Sequence, residues 1–220
     1  MFLFLIFLLG LASSFGLPVL AAEPATVFFS LDFPNSDPEH YSISAGTDGH
    51  AKYESSGRIS SDSEDRQTYQ TEFDLSEAAR TQIFDLASQS HYFSGKVDSG
   101  KKLAFTGAKK LTYQSGAQTT STAYNFSLIP SVQQLTTLFQ NISATLEYGR
   151  RLAYEHRYQK LALDDELKRM ESQARAGDLR ELQAARPILQ EIYDDASVMN
   201  VVRARAQRIM DMSKTASSTR

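Results

Sequence analysis

The chain has 220 residues, 26 acidic against 23 basic side chains for a net charge of −3, 41% hydrophobic residues and no cysteine. Disulfides, thiolate catalysis and cysteine-ligated metals are therefore excluded. Residues 23–130 hold 14 acidic and 9 basic side chains and residues 131–220 hold 12 and 14, and neither balance is the basic footprint of a nucleic-acid binder.

Residues 1–22 form an uncharged apolar run, from Met1-Phe-Leu-Phe-Leu to Val19-Leu-Ala-Ala22, broken by Gly16 and Pro18. A short apolar core followed by small residues is the pattern of an export signal, with cleavage expected after Ala21 or Ala22 and a periplasmic or secreted mature protein. The run is also about long enough to span a bilayer, so an uncleaved N-terminal anchor is the alternative and the one route to membrane contact.

Strand patterns open the mature chain. Val27, Phe29, Leu31 and Phe33 alternate on one face before Pro34, which predicts a first strand. His40–Ala45 and Ala51–Glu54 flank Gly46-Thr-Asp-Gly49. A two-residue turn would oppose Ile43 to Glu54, whereas a three-residue turn over Thr47-Asp48-Gly49, with Gly49 left-handed, pairs Ile43 with Tyr53 and Ala45 with Ala51. The polar stretch Ser55–Arg66 reads as a loop; Asp62, Glu64 and Asp65 within it lack the spacing of a calcium loop. Thr68–Phe73 returns as a strand. Ser76 then N-caps a helix carrying Ala79, Ile83, Phe84, Leu86 and Ala87 and ending near Ser88 to Ser90, with Tyr92 and Phe93 covering its end. Lys102–Thr106 and Lys109–Tyr113 read as two strands joined at Gly107, and Ser121–Phe126 as a further strand after a turn at Gly116.

After Pro130 the period changes. Val132, Leu135, Leu138, Phe139, Ile142, Leu146 and Leu152 form one stripe of a long helix that packs on the sheet and extends past it. Asp164 is the expected N-cap of the next helix, Asp165–Arg175; Gly177-Asp178 ends it. Residues 179–194 read as a helix interrupted or kinked at Pro187, and Ser197 begins a last one through Met212, with a frayed tail from Ser213. The expected architecture is α+β: a mainly antiparallel sheet packed with helices (23–145), then a C-terminal helical segment (146–212) and a flexible tail (213–220).

Chemistry-bearing motifs are sparse. No Gly-x-Ser-x-Gly, His-Glu-x-x-His, P-loop or dinucleotide-binding glycine pattern occurs, and no catalytic residue, metal site or cofactor is expected. His40, His50, His91 and His156 are scattered, the first two near opposite ends of the predicted hairpin. Asp164, Asp165 and Glu166 suit a helix N-terminus. Two groups suit an interaction surface instead. Tyr148, Arg150, Arg151, Tyr154 and Tyr158 recur near helical spacing and offer aromatic and arginine anchors for a protein partner, or else cover the sheet domain. Lys101, Lys102, Lys109 and Lys110 meet around the Gly107 turn, as protection of a strand edge or as a contact for an anionic polysaccharide or lipid headgroup.

Tyr41-Ser-Ile43, Asp48-Gly49, Tyr53, the Leu75-Ser76 helix start and Tyr92-Phe93 together resemble uncharacterised exported bacterial proteins over residues 26–145. That resemblance implies export and an α+β domain, and brings no activity to transfer. The expected function is a non-catalytic interaction or structural protein of the envelope or secreted fraction with a protein partner. An envelope hydrolase of unrecognised type, a small-ligand carrier or an inhibitor are the alternatives.

Overall fold

The computed structural model describes residues 24–34, 36–59 and 66–218. The apolar run 1–22 and the acidic residues 62, 64 and 65 lie outside them. Six strands, β1 (Ala25–Asp32), β2 (His40–Gly46), β3 (His50–Arg58), β4 (Arg66–Asp74), β5 (Ala108–Ser115) and β6 (Gln118–Tyr124), form one antiparallel sheet in the order β4-β3-β2-β1-β5-β6. Among the described residues five helices accompany it: α1 (Glu77–Gln89), α2 (Pro130–Tyr158), α3 (Leu163–Ala176), α4 (Arg186–Asp194) and α5 (Asn200–Ser218). The chain is thus α+β with a C-terminal helical segment.

The β2–β3 hairpin has the register that burial demands. Ile43 faces Tyr53 and Ala45 faces Ala51, all four buried, and Gly49 closes the turn at φ 92°. A slip of one residue would turn this whole set to solvent. His40 lies opposite Ser56 at one end of the ribbon and His50 opposite Asp74 at the other. β3 and β4 run further than the sequence pattern implies: Ser55–Arg58 is strand, and Ser55 is fully buried.

Val27, Phe29, Ile43, Tyr53 and Leu111 point to the face covered by α1 and α2, where the Phe29 and Phe139 rings stack at 5.2 Å. The opposite face carries Ser42, Ser44, Lys52, Glu54, Gln70 and Glu72, with Lys52 and Glu72 paired at 2.9 Å. This alternation is what a sheet with one solvated face requires.

Ser76 caps α1 as expected, its hydroxyl accepting from the Ala79 N–H. The chain then turns sharply through His91, Tyr92 and Phe93, all three with positive φ. Such a run is costly for residues with a Cβ. It is held by the burial of Phe93, by the Tyr92 ring 4.4 Å from that of Tyr113, and by Thr120 Oγ1 donating to the Tyr92 carbonyl.

The fifth strand predicted over Lys102–Thr106 does not form. Residues 101–107 are irregular, and β5 starts at Ala108. Gly107 adopts φ 96° against Leu31 and Phe33, so it breaks the backbone direction instead of joining two strands.

α2 has 29 residues, a length of about 43 Å at 1.5 Å per residue. Its residues up to Leu146 belong to the core under the sheet, and those from Tyr148 to a second core with α3, α4 and α5. The two cores divide between Leu146 and Tyr148, while the backbone passes from one to the other as one unbroken helix.

Within the bundle, α3 begins at Leu163 without a side-chain cap, and Asp164 pairs with Arg205 of α5 at 2.8 Å instead. Gly177 ends α3 in the left-handed conformation. Residues 179–181 are not helical, a short 3₁₀ turn covers Leu182–Ala185, and Pro187 sits in the first turn of α4. At that position its missing N–H costs no helix bond, so it starts a helix where a kink was expected. α5 continues through Ser218, and Ser213 is buried with its hydroxyl donating to the Met210 carbonyl.

Candidate functional site

The C-terminal half of α2 sends polar residues to two neighbours, because successive residues turn by about 100°. Glu147 and Arg150 face β3. The Tyr53 and Ser55 hydroxyls donate to Glu147 Oε1 at 2.8 and 2.6 Å, Arg150 donates to Glu147 Oε2 at 3.2 Å, and Arg150 Nη2 donates to the Gly57 and Arg58 carbonyls at 3.0 Å each. Burial raises the Tyr53 hydroxyl far above the ordinary tyrosine range, and the Glu147 charge beside it adds to the rise.

Arg151 and Glu155 face α3. Arg151 donates to the buried Glu166 at 2.6 Å and lies over the Tyr148 ring at 4.7 Å; Glu166 also accepts from Arg169. Glu155 Oε2 is buried without a hydrogen-bond partner. Its carboxyl is pushed up to about 7, chiefly by burial and then by the Glu166 charge, with Arg169 and Arg151 opposing. A carboxyl titrating near neutrality suits acid–base chemistry, yet this oxygen faces the protein interior.

A second arginine network joins α3 to α5. Glu171 accepts from Arg175 at 2.6 Å and from Arg208 at 2.9 Å, and these bonds hold its carboxyl down near 2. Sheet domain and bundle are latched by Glu181, whose carboxylate accepts from the Ser76 N–H at 2.6 Å and the Ser76 hydroxyl at 2.8 Å. Glu181 itself is left-handed, at φ 58°. The latch lies in an open groove of about 820 Å³ lined by Ala78, Leu179, Arg180 and Met212 among others.

The aromatic and arginine anchors of α2 are therefore divided. Tyr148, Arg150 and Arg151 are held inside by the contacts above. Tyr154 is half-buried beneath Tyr158, ring centroids 5.1 Å apart, and Tyr158 is 63% exposed. Tyr158 shares the distal end of the bundle with Leu161 (85% exposed), Met199 and Val201. Leu161 and Met199 lie between helices, outside any apolar stripe, whereas Val201, which the apolar run Val198, Val201, Val202 assigns to the bundle core, is 54% exposed in the first turn of α5. Two turns are locked together there: Asp195 accepts from Lys160 at 2.6 Å and meets His156 at 2.9 Å, and Lys160 also donates to Ser197. Those bonds hold the Asp195 carboxyl well below the usual range.

The four lysines do not form one group. β5 lies between β1 and β5's other neighbour β6 and is no edge strand, so edge protection does not explain Lys109 and Lys110. Strand alternation sends Lys110 outward and buries Lys109. The Lys109 ammonium donates among the Thr106, Gly107 and Asn125 carbonyls at 2.8–3.1 Å, and burial lowers its pKa. Lys101 and Lys102 are exposed in the irregular segment that Lys109 anchors.

Among the described residues, no group of three or more His, Asp or Glu is arranged to hold a metal ion, and no helix is long and apolar enough to cross a membrane. No protein-family model and no curated protein matches the chain.

Proposed function

We propose that the chain is an exported, non-catalytic interaction protein of the cell envelope or secreted fraction, and that the distal end of its helical bundle receives a protein partner. The carrying observation is the group Tyr158, Leu161, Met199 and Val201, all 49% exposed or more, set on two turns braced by the Lys160–Asp195 and His156–Asp195 bonds. Tyr158, with Arg157 over its ring at 5.4 Å, and Met199 are of the residue types enriched at protein interfaces, and Leu161 and Val201 add exposed apolar area beside them. The export reading rests on the apolar run 1–22.

Affinity capture from an envelope extract tests the surface. A specific protein should be recovered by the wild-type chain and lost with Leu161→Ser/Met199→Ser at unchanged circular dichroism; equal recovery by both removes the bundle end from the reading. Cell fractionation with N-terminal sequencing tests export, and the expected product starts at Ala22 or Glu23.

A further inference from the structure

A second exposed apolar group lies at the sheet, in the irregular segment 94–107 and the strand exit beside it. Leu103 is 48% exposed, Phe105 56%, Phe126 36% and Leu128 55%. In the exit, exposure alternates: Ser127 is buried between exposed Phe126 and Leu128, which puts those two side chains on one side. The two segments are tied together. Asn125 accepts from the Thr106 N–H at 2.8 Å and donates to the Ala104 carbonyl at 3.1 Å, and the Ser99 N–H donates to the Phe126 carbonyl at 2.8 Å. Phe105 is braced edge-on by Phe33 at 5.9 Å, and the Lys109 ammonium pins the base of the segment.

The charge of this segment is one-sided. Lys96, Lys101 and Lys102 are exposed. The single acid between Lys96 and Lys102, Asp98, turns its carboxylate onto the backbone N–H groups of Gly100 and Asn125 at 2.7 and 2.8 Å, which hold its pKa below the usual range. The segment thus exposes apolar side chains and three ammonium groups, with Asp98 the one carboxylate from Lys96 to Lys102.

We propose that this segment docks on an anionic lipid surface, with Leu103, Phe105 and Leu128 entering the headgroup boundary and Lys96, Lys101 and Lys102 meeting lipid phosphates. Apolar insertion together with a cluster of lysines is the combination that gives stable interfacial binding, since neither contribution is sufficient alone. An anionic polysaccharide would engage the lysines and leave the apolar tips without a role. This surface is separate from the bundle end, so either proposal can fail without the other.

The chain has no native cysteine, so Leu103→Cys in the full chain carries one environment-sensitive fluorophore, and Lys168→Cys on α3 provides the control position. Vesicles of phosphatidylcholine, with and without phosphatidylglycerol, are the probe. The label at position 103 should shift to the blue only with phosphatidylglycerol, while the label at 168 stays unchanged. Lys101→Gln/Lys102→Gln should weaken the response roughly 30-fold at low salt. Reading the label at the segment separates its insertion from any membrane contact made by residues 1–22. No shift with phosphatidylglycerol, an equal shift on both vesicle types, or a shift produced only by a protein extract would each overturn the proposal.

Discussion

Arg150 and Glu147 stand one helical turn apart on α2 with both side chains 4% exposed, 3.2 Å between them, against the end of β3. Two charges removed from water are tolerable only if their remaining hydrogen-bonding capacity is met. Here Tyr53, Ser55 and the Gly57 and Arg58 carbonyls meet it. The pair thereby joins the long helix to the sheet at the point where one core gives way to the other.

Removing one partner strands the other in a dry site. Arg150→Leu should destabilise the fold by about 3–5 kcal/mol, read as a lower urea midpoint. A double-mutant cycle pairing Glu147→Gln with Arg150→Gln should show coupling above ~1 kcal/mol. Near-additive effects would mean that the two residues act independently.

Two carboxyls predict opposite pH slopes. Glu155 has its folded pKa raised to about 7, so the folded state binds the extra proton and stability falls as pH rises from about 4.5 through 7. Glu171 is held down near 2; its contribution is present above about 4.5 and is lost as pH falls toward 2. Stability due to this pair should therefore peak near pH 4–5. Denaturation across pH should show the alkaline-side decline reduced by Glu155→Gln and the acid-side loss reduced by Glu171→Gln.

The Glu181 latch on Ser76 should be worth about as much as a helix cap. Glu181→Ala is expected to cost ~1–2 kcal/mol and to accelerate hydrogen exchange at the Ser76 N–H. Unchanged exchange there would show that the latch is not formed in solution.

Two backbone positions carry opposite expectations. A Cβ at Gly107 would meet Leu31 Cδ1 at 2.7 Å with φ already at +96°, so Gly107→Ala should destabilise by about 2 kcal/mol or more. His91 is exposed at φ 50°, and His91→Gly should be neutral or stabilising by up to ~1 kcal/mol. The thermal midpoint should fall for Gly107→Ala and hold or rise for His91→Gly.

Residue alternation and turn parity alone were enough for the hairpin register, the Ser76 cap, the α2 stripe and the Gly177 stop, because each depends on contacts a few residues apart or on which face of one element is apolar. The environment of the residues proposed for interaction was legible only in part. Tyr158 is exposed, but Arg150 and Arg151 have partners 95 and 15 positions away and Tyr148 is buried in the bundle core, and nothing local announces packing so distant. Lys109 belongs on a strand by any local rule, and the Asn125 carbonyl that joins Thr106 in enclosing it becomes visible only once β5 and β6 are paired. Asp164 had the sequence context of a cap and became the partner of Arg205. Local chain geometry determined the elements of this protein; which charges are buried, and which apolar side chains stay in water, was decided by long-range packing, since the cost of desolvating a group depends on everything that closes around it.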